Sequence, residues 1–268
     1  MIDRRASPDL ARASALIAER GLGLGAPLHI LDETTSTNDE AKRAAKDGAP
    51  HGATWLAESQ SAGRGRQGRA WVSPRGENLL VSVLVRVDCS PARLPLLALV
   101  AGLAARDAIA LAAPSAAPRI KWPNDVVVGA DRKKVAGVLV EAITQGSSSA
   151  LVVGVGINVH TREFPDDLAA RATSVALLAD RTSPHPPDRA EILADLLRGL
   201  DRDLALVAAR GLGLVHARLS HADALRGARV RSESGEGVAE GIDLDGRLLI
   251  RRDNGMLTRW VAGEVHLV

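Results

Sequence analysis

The sequence is poor in cysteine and in aromatic residues, and both shortages exclude classes of site. Cys89 is the single cysteine among 268 residues, so the chain can form no internal disulfide and no cysteine-rich zinc site. Tyrosine is absent, phenylalanine occurs once, and aromatic residues make up 2% of the chain, whereas 46% of it is hydrophobic. We therefore predict a globular core of Leu, Val, Ile and Ala, with almost no aromatic surface on which nucleic-acid bases could stack.

A strong net charge and an uninterrupted membrane-spanning run are also missing. The 34 basic side chains nearly balance the 32 acidic ones, and the formal charge of +2 is far from the broad basic field of a general nucleic-acid-binding protein. The longest apolar run, residues 94–113, is interrupted by Arg106 and Asp107 and predicts a buried helix. No continuous apolar segment of the signal-peptide kind follows the first residues. These features favour a soluble cytoplasmic protein.

The most distinctive stretch runs from Glu58 to Trp71 and alternates glycine with arginine; we call it the Gly/Arg loop. Its glycines let the backbone approach a ligand closely, and its arginines offer guanidinium groups to an anion. Residues 63–68 match the G-x-G-x-x-G dinucleotide pattern, but the residues after them do not predict the helix that this pattern requires. A phosphate-binding P-loop is disfavoured because Arg69 and Ala70 stand where it needs Lys and then Ser or Thr. Taken alone, the loop could also be a solvated segment or a nucleic-acid patch.

Apolar periodicity and turn signals predict a mixed region of helices and strands, followed by a short region of strands alone. The predicted helices are 8–20, 37–46, 91–112, 173–179 and 188–209, and the predicted strands of the mixed region are 29–33, 54–58, 80–87, 133–141 and 150–159. Thr37 and Glu40 form a capping-box pattern. Asp245-Gly246 and Asn254-Gly255 predict hairpin turns in a small antiparallel, barrel-like domain. We expect an N-terminal helix and linker at 1–27, a main domain at 28–221 and the small domain at 222–268.

Two groups of polar residues are candidates for ligand binding. The first group consists of short side chains at a strand-to-helix junction, which suit a small neutral polar ligand: Ser36, Thr37 and Asn38. The second group follows from Pro123, which interrupts the strand-like run 119–128 and should bend it. The polar residues that this bend would expose are Lys121, Asn124 and Asp125.

Five separated motifs occur in the order in which biotin protein ligases carry them. They are S-T-N at 36–38, Q-S-A-G-R-G-R-Q-G-R at 60–69, K-W-P-N-D at 121–125, K-V-A-G at 134–137 and G-V-G-I-N at 154–158. The chain therefore resembles the biotin protein ligases from residue 29 to residue 268. The resemblance implies an α/β (α+β) catalytic domain like that of class II aminoacyl-tRNA synthetases, followed by an SH3-like β-barrel. It also implies the ligase-only form, because the residues before 28 are too few for the DNA-binding domain of ligases that repress transcription.

The resemblance further implies a reaction with its substrates, cofactors and partners. Biotin and ATP, with Mg²⁺, would give biotinyl-5′-AMP and pyrophosphate, and the biotinyl group would then pass to one lysine of a biotin carboxyl carrier protein or domain. The Mg²⁺ would come with ATP, since no protein-only metal site is implied. No DNA and no membrane are expected as partners, and the oligomeric state stays open, with a homodimer as one alternative.

The resemblance assigns roles to individual residues. Biotin would be bound by Ser36, Thr37, Asn38, Gln60, Arg64, Gly65, Arg66 and Lys134. The adenylate would be bound by Arg66, Arg69, Trp71, Asn124, Lys134 and Asn158. Catalysis would use the positive charges of Lys121, Lys134 and Arg66, with Asp125 orienting or deprotonating the acceptor amine. The choice of Lys134 over its neighbour Lys133 depends on the alignment to the V-A-G that follows.

Two rival functions remain at this stage. A lipoate or octanoate ligase or transferase shares the fold, but it would need a long apolar slot, whereas Ser36 to Asn38 with Gln60 suits the polar ureido group of biotin. A nucleic-acid-binding module would use the Gly/Arg loop, but the chain has few aromatic residues for stacking.

Overall fold

The structure is a computed structural model that describes residues 7–87, 90, 93–145, 148–179 and 187–268. The single cysteine, Cys89, and the first two residues of the predicted helix 91–112 lie outside the described residues.

A seven-stranded sheet forms the centre of the main domain. Its strands are β1 (Leu28–Leu31), β2 (Thr54–Ala57), β3 (Leu79–Val85), β4 (Arg119–Lys121), β5 (Asp125–Val128), β6 (Lys133–Gln145) and β7 (Ser148–Ile157). The spatial order is β1-β2-β3-β7-β6-β5-β4, with β1 and β2 parallel and the other neighbours antiparallel. Every residue of β3 is buried, as its run of Leu and Val requires. Strands β3, β7 and β6 are neighbours in the interior of this sheet.

Eight α-helices occur in the described residues. They are α1 (Pro8–Ala11), α2 (Ala13–Glu19), α3 (Thr37–Lys46), α4 (Leu94–Ala112), α5 (Asp166–Ala169), α6 (Val175–Leu178), α7 (Arg189–Arg210) and α8 (His216–Ala222). By length and composition α4 could cross a membrane, but most of it is buried inside the domain, where it packs on α7 and the sheet. Gly199 of α7 makes this close packing possible, because a Cβ there would lie 2.8 Å from the Cβ of Ala104. The predicted buried helix is confirmed.

A second, five-stranded antiparallel sheet follows the main domain. Its strands are β8 (Arg229–Ser232), β9 (Gly235–Ile242), β10 (Leu248–Arg251), β11 (Leu257–Trp260) and β12 (His266–Leu267), in the spatial order β11-β10-β9-β8-β12. Gly246 and Gly255 have positive φ angles of 75° and 81° and form the two predicted hairpin turns. The turn at Gly246 also joins the two parts of the fold, because its carbonyl accepts a hydrogen bond from Trp122 Nε1 at 2.9 Å.

Two local predictions differ from the structure, and two short helices, α5 and α8, were not predicted. The capping box is wrong: Ser36 is the N-cap of α3, Thr37 is already helical, and Glu40 instead accepts a hydrogen bond from the Thr34 hydroxyl at 2.8 Å. The first helix is divided at Arg12 into α1 and α2. Helix α8 was not predicted, because its seven residues mix apolar and polar side chains without a clear period.

Candidate active site

One cavity collects most of the residues that the sequence singled out. It lies between the start of α3, the Gly/Arg loop and the surface of β3, β6 and β7, and encloses about 490 Å³ of empty space including its mouth. The residues that were predicted from the sequence and that line this cavity are Ser36, Thr37, Asn38, Gln60, Arg64, Gly65, Arg66, Trp71, Asn124 and Lys134. Apolar residues, among them Leu80, Val81, Val138 and Val155, complete the wall. An apolar slot with a few polar groups is the usual form of a small-molecule site.

The inner end of the cavity is polar because α3 begins there. Ser36, Thr37 and Asn38 are all buried. The Gln60 side-chain oxygen accepts hydrogen bonds from the Thr37 amide at 2.7 Å and the Thr37 hydroxyl at 3.1 Å. Because Gln60 lies in the Gly/Arg loop, these bonds attach the base of the loop to the helix. The result is a set of fixed donors and acceptors at one end of an otherwise apolar slot.

Two residues of this polar end were not found from the sequence. The Ser82 hydroxyl of β3 lies within hydrogen-bond distance of Thr37 Oγ1 at 2.7 Å and Asn38 Oδ1 at 2.5 Å, and its one proton is available to either acceptor. Glu141 of β6 accepts from Asn38 Nδ2 at 2.6 Å and from Lys42 Nζ at 2.9 Å. A serine inside the apolar run of β3 and a glutamate after Val-Leu-Val in β6 were the available signals, because a polar residue in a buried strand needs a partner.

Glycines form part of the cavity floor because other side chains would not fit. A Cβ on Gly154 would lie 2.2 Å from Asn38 Oδ1, and one on Gly156 would lie 2.6 Å from Trp71 Cε2. Trp71 thus lies directly on β7, with Lys134 Nζ 5.3 Å from the centre of its ring. The buried Nε1 of Trp71 has no acceptor within the described residues. An unpaired donor beside a cavity is consistent with a ligand that supplies the acceptor.

The Gly/Arg loop folds back on itself above the cavity. Gly65 N donates to Arg69 O at 2.7 Å, and Trp71 N donates to Gly63 O at 2.9 Å. Arg64 is held by Asp39 of α3 through two hydrogen bonds of 2.7 and 2.6 Å. The hydrogen bonds from Arg64 are the main reason that the pKa of Asp39 falls to about 2. Both residues are therefore charged at neutral pH and fix one side of the loop.

The side chain of Arg66 extends from the Gly/Arg loop to Asn124 and has no ion-pair partner among the described residues. Its Nη1 donates to Asn124 Oδ1 at 3.1 Å, and no ion pair to Arg66 is found in the described parts of the chain. Burial lowers the pKa of Arg66, although Asp125 and Glu264 oppose that shift by their charge. A partly desolvated guanidinium that lacks a carboxylate partner is suited to binding an anion.

The lysines of the site are arranged around Asp125. Lys134 Nζ lies 2.8 Å from Asp125 Oδ1, and Lys121 stands opposite Asp125 in the β4–β5 pairing. Burial lowers the pKa of Lys121, while the charges of Asp125 and Glu264 oppose the effect. Lys134 lines the cavity and Lys133 does not; instead Lys133 Nζ donates to Ala169 O at 3.2 Å. This placement supports the choice of Lys134.

Four predicted site residues do not line the cavity: Arg69, Lys121, Asp125 and Asn158. Asp125 adjoins it through Lys134, and Arg69 forms a bidentate ion pair with Glu264, beside the C-terminal sheet. Asn158 is buried, and its Nδ2 donates to Thr173 O at 3.0 Å, so its amide is used to fix the chain before α6. Asn158 was predicted as a site residue because it ends the motif G-V-G-I-N, but the residues of that motif that line the cavity include its glycines, Gly154 and Gly156, and not Asn158.

Within the described residues, no group of three or more His, Cys, Asp or Glu side chains is arranged to hold a metal ion. The acidic group nearest the cavity cations, Asp125, is paired with Lys134.

Comparison with known proteins identifies the class of this site. Residues 30–158 match the Biotin/lipoate A/B protein ligase family, and residues 228–268 match the biotin protein ligase C terminal domain. The fold is therefore that of the biotin/lipoate protein ligase class. Within that class, the chain belongs to the biotin protein ligase family. A biotin--[acetyl-CoA-carboxylase] ligase of Mycobacterium tuberculosis is 37% identical over 262 residues, which cover 93% of each chain.

Two further relatives define the extent of the match. The bifunctional ligase/repressor BirA of Salmonella typhimurium is 34% identical over 217 residues, and the match covers 79% of this chain but only 65% of that protein. The structure of biotin protein ligase from Aquifex aeolicus in complex with biotin and ATP has a TM-score of 0.75 at 29% identity, covering 90% of this chain and 98% of that one. The expected catalytic fold and small SH3-like C-terminal domain are confirmed.

Proposed function

We propose that this protein activates biotin with ATP and transfers the biotinyl group to a lysine of a biotin carboxyl carrier protein or domain. The observation that carries the proposal is the composition of one cavity, which joins a polar end at α3 to an apolar slot and to the cations of the Gly/Arg loop. The relatives support it, since one is named a biotin--[acetyl-CoA-carboxylase] ligase and a similar structure holds biotin and ATP. The carboxylase named there supports a carrier domain of that kind as the acceptor.

In the first step, a carboxylate oxygen of biotin attacks the α-phosphorus of ATP, and the bond to the β-phosphate breaks with release of pyrophosphate. Two anions must approach, so positioning and charge neutralisation lower the barrier. Arg66 and Lys134, which both line the cavity, would stabilise the charge on the reacting oxygens. Mg²⁺ bound to the nucleotide phosphates would add further positive charge. The ureido ring would lie at the polar end, beside Ser36 and Asn38.

In the second step, the acceptor amine attacks the acyl carbon of biotinyl-5′-AMP, an amide bond forms, and AMP leaves. The amine must first lose a proton, because an ammonium group has no lone pair. Asp125 lies 2.8 Å from Lys134 Nζ. It would orient the acceptor amine or receive its proton. The Gly/Arg loop, closed over the cavity by Arg64 and Gln60, would keep water from the mixed anhydride.

The test is incubation of the protein with ATP, biotin and a biotin carboxyl carrier domain, followed by mass spectrometry of the carrier. We expect one added biotinyl group on one lysine, dependent on ATP. Pyrophosphate exchange into ATP that needs biotin would report the first step alone. Calorimetric titration with biotin and with lipoate separates the rival function, because tight binding of lipoate but not biotin would contradict the proposal.

The finer features of the proposal concern location and assembly. We propose that the enzyme works in the cytoplasm and that it binds neither DNA nor a membrane. A homodimer is the alternative to a monomer, and light scattering with and without biotin and ATP distinguishes them.

A further inference from the structure

A buried ion cluster lies outside the cavity, at the base of the Gly/Arg loop. Its centre is Arg189, the first residue of α7, whose side chain is 1% exposed. Arg189 donates to Glu58 Oε2 at 2.7 Å, and to Asp9 Oδ2 and Oδ1 at 2.8 Å each. It also donates to the carbonyl oxygen of Asn78 at 3.3 Å. One guanidinium therefore joins three segments that are far apart in the sequence.

Glu58 is the residue at which the Gly/Arg loop leaves the sheet. Its amide donates to Leu31 O at 3.0 Å, and its carbonyl accepts from Gly76 N at 2.9 Å, which closes the base of the segment 58–76. Its side chain is only 2% exposed. Two residues later, Gln60 holds the Thr37 amide in the cavity. A displacement of Glu58 would therefore reach the biotin end of the site through a very short piece of chain.

The N-terminal helix supplies the other half of the cluster. Asp9 of α1 makes the bidentate contact to Arg189, and the Ser7 amide donates to Glu58 Oε1 at 2.8 Å. Burial alone would raise the pKa of Asp9, but hydrogen bonds and charge from Arg189 outweigh it and lower that pKa. Asn78, whose carbonyl Arg189 contacts, donates through Nδ2 to Ser73 Oγ at 3.0 Å, just beyond the Gly/Arg loop. The cluster thus holds both ends of the segment 58–76.

We infer that Asp9, Arg189 and Glu58 are positioning residues for the Gly/Arg loop, and that α1 therefore contributes to biotin affinity without touching biotin. None of the three lines the cavity. Arg189 and Glu58 are buried and Asp9 is partly exposed, and the charge of Arg189 is paired with both carboxylates. A buried charge that loses a partner forces its neighbours to move. The inference rests on the proposed function only where biotin kinetics are used to measure it.

Asp9→Asn is the most direct test. An amide presents one acceptor and one donor, so it cannot keep both hydrogen bonds from Arg189. We expect KM for biotin to rise by roughly three- to tenfold, with kcat at saturating biotin within about twofold of the wild type, because loss of one charged contact weakens ordering of the site rather than the chemistry. Asp9→Glu retains a carboxylate and should recover most of the lost affinity.

Asp195→Asn is the matched control. Asp195 also lies on α7 and also pairs with the N-terminal region, through Arg20 Nη1 at 2.9 Å, but it does not contact Glu58. The substitution removes the same charge from the same pair of packed segments. We expect it to lower thermal stability as much as Asp9→Asn does, while KM for biotin stays within about twofold of the wild type.

Amide hydrogen exchange without any ligand tests the inference independently of activity. Asp9→Asn should speed exchange at Gly65, Trp71 and Gly76, whose amides donate within the segment 58–76, and Asp195→Asn should not. Equal exchange and equal KM in the two variants would overturn the inference. Faster exchange in Asp9→Asn, combined with a wild type that shows no biotin-dependent activity, would support the positioning role and contradict the proposed function instead.

Discussion

At the scale of single residues, the site depends on contacts that leave little free space. Gly154 lies beneath Asn38, and Asn38 in turn links Ser82 to Glu141. The polar end of the cavity is therefore one connected network, and a change to a residue that makes no polar contact can disturb it.

Gly154→Ala should disable biotin recognition without unfolding the protein. The added Cβ would lie 2.2 Å from Asn38 Oδ1, so Asn38 must leave its partners. We expect KM for biotin to rise by at least about tenfold, since two or more hydrogen bonds are lost. Steady-state kinetics check this, with Gly102→Ala as the control, because a Cβ there meets Ile120 at an ordinary 3.5 Å. Similar KM values for the two variants would contradict the argument.

Arg66→Gly should release the activated intermediate. Arg66 is the half-buried cation that spans from the loop to Asn124, and the variant loses both its charge and that bridge. A charge-assisted contact is worth about 1.5–3 kcal/mol, so the adenylate should dissociate about one to two decades more readily. We expect biotinylation of many lysines on a bystander protein, counted by mass spectrometry. Labelling confined to the carrier lysine at the wild-type rate would show that Arg66 does not retain the intermediate.

Asp39 should contribute to the acid sensitivity of the protein. Its pKa is about 2 in the folded state, against an ordinary value of 3.8, so its ionised form is bound more tightly by the fold than by the unfolded chain. That stabilisation is complete above the ordinary pKa and is lost as the pH falls through about 2. The free energy of unfolding of Asp39→Asn should therefore depend less on pH than that of the wild type between these two values. Parallel profiles from denaturant titrations would exclude this role.

At the scale of helices and strands, apolar runs and turn residues were reliable guides. The runs that became β3, β6 and β7 and the Asp-Gly and Asn-Gly turns were predicted, because burial on a sheet and positive φ each demand particular residue types. The capping box was wrong because Thr37 is occupied by Gln60 and Ser82, contacts between residues far apart in the sequence. The roles of Glu141 and of the Arg189 cluster were not predicted for the same reason, because ion pairs between distant segments leave no local sequence pattern.

Helix α7 provides a prediction at this scale. Asp188 caps it by accepting hydrogen bonds from the amides of Ala190 at 2.8 Å and Glu191 at 3.2 Å. Asp188→Ala should lower the free energy of unfolding by about 1 kcal/mol, the usual value of a good N-cap. Urea unfolding measures it, and Asp188→Ser, which keeps an acceptor, should lose clearly less. Equal losses in both variants would mean that the Arg12 ion pair, 3.1 Å from Asp188, matters more than the cap.

At the scale of the whole molecule, the C-terminal region contacts both the main domain and the Gly/Arg loop outside the cavity. Trp122 of the main domain donates to Gly246 in the C-terminal sheet, and Arg69 of the Gly/Arg loop pairs with Glu264. The main domain and the small C-terminal domain were both predicted from the sequence. The contact between the C-terminal region and the loop was not, because Arg69 and Glu264 are 195 residues apart. The C-terminal region is therefore placed to influence the position of the loop.

Glu264→Gln tests that influence. The Arg69–Glu264 pair is partly exposed, so its loss should change the free energy of unfolding by less than about 1 kcal/mol. The loop, however, loses its attachment to the C-terminal sheet, and we expect KM for ATP to rise by roughly threefold at low ionic strength. At high ionic strength the difference from the wild type should shrink, because salt screens an exposed pair. Glu240→Gln is the control: it breaks the similarly exposed Arg251–Glu240 pair in the same sheet, away from the loop. An equal effect of both substitutions on KM for ATP would mean that the C-terminal sheet does not act through this contact.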